Sequence, residues 1–128
     1  MVPKSLRVWF VIHFVLDVVS AAPLLVAPEF TLSLLGWPTI DPFTTRLVAA
    51  ALMAIGVESL LGRNGSAETY RAMLNLKIIW AGTAILGMGL TLISGGPPLG
   101  WLFLAIFGFF FPVWIRYRFL LRRRNGTG

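Results

Sequence analysis

His13 and Asp17 stand four residues apart inside VWFVIHFVLDVVSAAPLLVA, an apolar run long enough to cross a bilayer. At that spacing both side chains fall on one side of a helix, and Trp9 and Ser20 extend the same stripe. A polar stripe in a membrane helix must face protein or water, because exposing it to lipid costs several kcal/mol. Pro23 frees the carbonyl of Val19 from its helical bond and gives the stripe one more acceptor. A neutral His held by an Asp has the chemistry to donate to a quinone oxygen or to relay a proton.

Three further residues qualify for the same layer. Glu58 lies on an i, i+4 row of Ala50, Ala54, Glu58 and Gly62, whose small members permit close helix contact. Lys77 shares one side of a later run with Ala81, Ala84, Met88 and Thr91, with Trp80 adjoining, while Asn75, Gly82 and Gly89 lie opposite. Counted from the inner ends of their spans, His13 lies roughly 9 Å deep, Asp17 roughly 15 Å, Glu58 about 5 Å and Lys77 about 10 Å. An inner-half cluster of His13, Asp17, Glu58 and Lys77, with Trp80 beside it, is therefore the expected site.

Two readings of that cluster stay open. In one it binds or transforms a lipophilic molecule: a quinone, a sterol-like compound, or a cation held by the two carboxylates against Trp80. In the other a Glu58–Lys77 ion pair and a His13–Asp17 hydrogen bond only fix helix register, with Lys77 close enough to the boundary to snorkel. No cofactor is predicted. With one His and no Cys in the chain, no metal site and no disulfide is expected either. There is no phosphate loop or nucleophile elbow, and no GxxxG inside a span, so no catalytic residue is assigned.

The elements that must position these residues follow from hydropathy. Hydrophobic residues make up 57% of the 128 and charged residues 12%, which suits a bilayer as solvent. Four apolar runs, about Leu6 to Ala27, Phe43 to Leu61, Tyr70 to Ser94 and Leu99 to Leu121, predict an all-α membrane bundle of four spanning helices forming one domain. Helix-stopping residues separate them: APEF with LGWPTIDPF, then GRNGSAE, then SGGPPLG. A signal-peptide reading of the N-terminus fails, because His13 and Asp17 interrupt the apolar core and the run continues through PLLVA.

Ten of the 11 basic residues fall at the start, the second connection and the end, and only Arg46 falls on the other side. That bias predicts both termini in the cytoplasm and an inner-membrane location. Trp9 and Trp114 are then expected at the inner boundary, Trp37 and Trp101 at the outer one. The basic residues form no helix with interleaved base-stacking aromatics, so nucleic acid is not an expected partner. RYRFLLRRR reads as an orientation signal that also attracts anionic lipid.

In the first connection, Pro28 suits a first helical turn and Gly36 a stop, predicting a short interfacial helix on the outer surface. In the last span Phe103, Phe107 and Phe110 line one side, expected to meet lipid or another subunit, and Pro112 is expected to kink the helix. NGT at 125–127 is a sequon that a cytoplasmic end leaves unused.

The arrangement PLLVAPEFTLSLLGWPTIDPFTTRLVAAALMAIGVESLLG resembles the first half of DoxX-like four-helix membrane proteins. The outer connection and the element GVES at 56–59, a Gly followed closely by a Glu, carry the likeness. It implies a four-helix bundle of the kind found as the membrane partner of quinol-linked oxidoreductases or larger redox complexes. It carries over no catalytic residue, and only Glu58 matches a family-like position. The expectation is a non-enzymatic accessory or assembly subunit, partnered by membrane lipids and other membrane subunits. The rival is a membrane-embedded enzyme or binder of a lipophilic ligand.

Overall fold

A computed structural model describes residues 1–123. Arg124 and the NGT sequon lie outside the described residues. The chain is all-α, with no strand among the described residues. Its helices are α1 (Lys4–Val26), α2 (Pro28–Leu34), α3 (Pro42–Leu61), α4 (Ala67–Ile93) and α5 (Gly100–Arg123), with a 3-10 turn at Gly62–Asn64. The four long helices are each long and apolar enough to cross a membrane. Their ends fall within three residues of the expected spans. Helices are what such segments must form, since a bilayer offers no partner to an unpaired backbone group.

Packing divides the chain into two compact units, residues 4–64 and residues 1–3 with Gly65 onward. In the first, α1 and α3 run antiparallel and are tied at three levels. The Arg7 guanidinium reaches Asn64 Oδ1 at 3.4 Å, Gly56 lies against Asp17, and Arg46 Nε donates to the Leu25 carbonyl at 3.1 Å. The last bond places a cation on the carbonyl end of α1, where the helix dipole favours it. In the second unit α4 and α5 are also antiparallel: Arg118 meets Asn75, Phe111 meets Gly82 and Gly100 meets Leu92. The two helices with an interior proline, α1 at Pro23 and α5 at Pro112, continue through the ring.

The connections are built from local capping chemistry. Pro28 opens α2, and Thr31 Oγ1 donates to the carbonyls of Ala27 at 2.8 Å and Pro23 at 3.1 Å, fixing the elbow from α1. Gly36 (φ 79°) ends α2: its N–H bonds Ser33 O at 3.1 Å and that of Trp37 bonds Leu32 O at 3.0 Å. Gly95 (φ 96°) closes α4 in the same way, with Gly95 N on Leu92 O and Gly96 N on Thr91 O. These are two Schellman stops, each needing a left-handed residue that glycine supplies without strain.

Asp41 caps α3, its carboxylate accepting from Phe43 N at 3.0 Å and from the Thr44 hydroxyl. The Thr44 hydroxyl, then the backbone N–H groups of Thr44 and Phe43, hold the Asp41 carboxyl below its ordinary 3.8 against a small opposing effect of desolvation. Because the folded value is depressed, the cap's contribution is fully present above about pH 4 and fades as pH falls through the lower, folded value. Asp41→Asn retains the cap without the titration. Its thermal unfolding should lose the acid-side slope of the parent below about pH 4, and an unchanged slope would assign that slope to other groups.

Candidate functional site

The polar stripe of α1 forms as its spacing requires. Leu6, Phe10, Asp17 and Ala21 are buried along one side of the helix, with His13 among them. His13 Nδ1 lies 2.8 Å from Asp17 Oδ2, and the two side chains keep only 12% and 8% of their exposure. Although this is ion-pair distance, the i, i+4 placement does not aim a good hydrogen bond at Oδ2, which stays buried without a well-directed donor. Ser20 at the far end of the expected stripe is exposed, and Ala21 takes the inward position.

Gly56 of α3 closes the site. A Cβ there would stand 2.6 Å from Asp17 Cβ and 3.3 Å from Asp17 Oδ2, so α3 backs directly onto the carboxylate. The inward positions of α3 are Ala49, Gly56 and Ser59. The expected packed row is thereby corrected: Ala50, Ala54 and Glu58 are exposed. A strict i, i+4 row drifts about 40° per step around a 3.6-residue helix, and the stripe that stays inward alternates three and four. The Ser59 hydroxyl bonds back to Ile55 O at 2.6 Å, as a hydroxyl inside an apolar helix must.

Lys77 is 2% exposed and therefore does not snorkel into open surface. Its Nζ sits 5.2 Å from the centroid of the Trp114 ring, within cation–π range. Trp114, expected at the inner membrane boundary, is instead 1% exposed and stacked on Phe110, with centroids 5.4 Å apart at 19°. Trp80, expected beside Lys77 as the pocket wall, lies against Phe107 at 6.4 Å.

The phenylalanine stripe expected to face lipid or a partner is turned the other way at Phe107 and Phe110, while Phe103 is half-buried. Leu102, Ile106 and Phe109 hold the outward side of α5. A helix greasy on all sides gives no pattern by which to choose between them.

His13 thus meets Asp17 within α1, and Lys77 meets Trp114 between α4 and α5. Among the described residues no three His, Asp or Glu side chains gather as a metal would require. The depression lined by Asp41, Pro42, Phe43, Arg46 and Leu47 is open to the surface. It lies at the other end of α3 from Gly56, about 20 Å away along the axis at 1.5 Å per residue. Gly56 and Trp114 are the site residues that sequence reasoning missed. GVES was noticed for its Glu, and only the antiparallel register reveals that its Gly touches Asp17.

No family model, curated protein or solved structure matches the chain.

Proposed function

We propose that the chain is a small multi-pass protein of the cytoplasmic membrane, with both termini on the cytoplasmic side. In this reading it acts as a non-enzymatic accessory or assembly subunit of a larger membrane complex, a redox complex if the DoxX-like layout is a guide. The observation that carries this reading is the exposed row Ala50, Ala54 and Glu58 on α3. Small residues on the outside of an apolar span let another backbone approach closely, and a carboxylate among them is costly to leave against lipid. A neighbouring helix bearing a donor satisfies both.

Gentle solubilisation, size separation and mass spectrometry of what travels with the chain test this. A partner in fixed stoichiometry, released by Glu58→Leu, is the expected result. A homogeneous monomer or dimer with no partner overturns it.

A second reading rests on the buried Asp17 Oδ2 beside His13, which suits the hydroxyl of a lipophilic ligand such as a sterol-like molecule or the quinol form of a quinone. The same separation distinguishes it. A small particle carrying one such molecule moves the function from the outside of α3 to the His13–Asp17 pair.

A further inference from the structure

The α4–α5 seam ends in arginines. Arg118 Nε donates to Asn75 Oδ1 at 2.7 Å. Seven residues along α4, Gly82 meets Phe111, seven residues back along α5. That constant register, carried one turn past Asn75 and Arg118, brings Arg71 opposite Arg122. Three arginines therefore share one end of one seam, with Arg71 Nε on the Ala67 carbonyl at 3.3 Å, and the carboxylate within a turn of them on these helices is Glu68. The end is also the N-terminus of α4, capped by Ser66, where unpaired N–H groups add positive potential. Arg118 is held by Asn75 rather than by an acid, so its fork is oriented without being neutralised.

We propose that Arg71, Arg118 and Arg122 form a binding site for the phosphate of an anionic phospholipid. Like charges brought together at a helix end are stabilised by an anion between them, and guanidinium forks match phosphate oxygens two at a time. The choice of a lipid over free phosphate comes from the surroundings. Leu76 on α4 and Phe119 on α5 are 49% and 58% exposed beside the arginines and offer apolar cover to acyl chains. This site is independent of whether the chain has protein partners. It differs from a general basic collar in predicting one bound lipid rather than a diffuse attraction.

The full chain, purified in mild detergent, is titrated with phosphatidylglycerol or phosphatidylcholine and examined by native mass spectrometry. One phosphatidylglycerol per chain should persist under activation that strips phosphatidylcholine. Arg118→Gln with Arg122→Gln should weaken that retention at least tenfold. Arg116→Gln with Arg123→Gln removes the same charge from the opposite side of α5 and should leave retention intact.

Equal loss from the two double variants, or no preference for the anionic lipid, overturns the proposal. Displacement by millimolar inorganic phosphate does so too, by making this a free-phosphate site. If the Gln pair loses helical circular dichroism, Arg118→Lys with Arg122→Lys carries the test. It keeps the charge but not the fork, so retention should fall several-fold, and unchanged retention is a failure.

Discussion

Gly56→Ala will destabilise the first helical pair, although alanine is the better helix former. The added methyl would stand 2.6 Å from Asp17 Cβ, an atom fixed to the α1 backbone that cannot swing aside as a side-chain tip can. Relief requires α1 and α3 to separate, which forfeits packing along the whole seam. Overpacking of this kind costs roughly 1–3 kcal/mol, against a gain of up to about 1 kcal/mol from replacing glycine in a helix. Gly56→Val has a larger group to place and no propensity gain of comparable size, so its loss should be greater.

Gly87→Ala is the built-in control, since nothing lies within 4 Å of the Cβ it would add. Unfolding in detergent should rank the variants with Gly87→Ala at or above the parent, then Gly56→Ala, then Gly56→Val. If Gly56→Ala equals Gly87→Ala, the two helices do not approach as described.

Trp114→Ala should be the most damaging single substitution in the second unit. It empties a site only 1% exposed, removes the ring stacked on Phe110 and takes away the π face under the buried Lys77 ammonium. Large-to-small changes at such positions cost about 3–5 kcal/mol, and inside a membrane the loss is of packing more than of water exclusion. Trp114→Phe should recover much of the packing and less of the cation–π contribution, which is strongest for indole.

A double-mutant cycle separates the two contributions. Lys77→Met in the Trp114→Ala background should cost less than Lys77→Met alone, with a coupling of about 0.5–2 kcal/mol. Additive losses would mean that the ammonium is stabilised elsewhere.

What the sequence disclosed depended on whether a residue's role is local. Span ends, the Pro28 opening and the Gly36 stop follow from hydropathy and capping rules, and the structure places them as expected. The His13–Asp17 pair was legible for the same reason, both residues lying on one helix.

Roles that depend on a second helix were not legible. In an amphipathic helix the polar side identifies the outside, but α3 and α5 are apolar nearly all round. Glu58 was therefore set on the packed row, and the Phe107 and Phe110 side of α5 was expected outside. The preference of tryptophan for the membrane boundary speaks only to the level of Trp114, and its contact with Lys77 depends on a register seen only in three dimensions.

The two buried pairs differ in when they can form as the chain is made. The counter-group of His13 is four residues away on its own helix, so this pair can form as soon as α1 does. Lys77 has to wait for a ring 37 positions downstream (114 less 77) on α5. Until that helix has been synthesised, the Lys77 ammonium lacks this ring. One pair is thus complete within the first span to be made, whereas the other is completed only by the last.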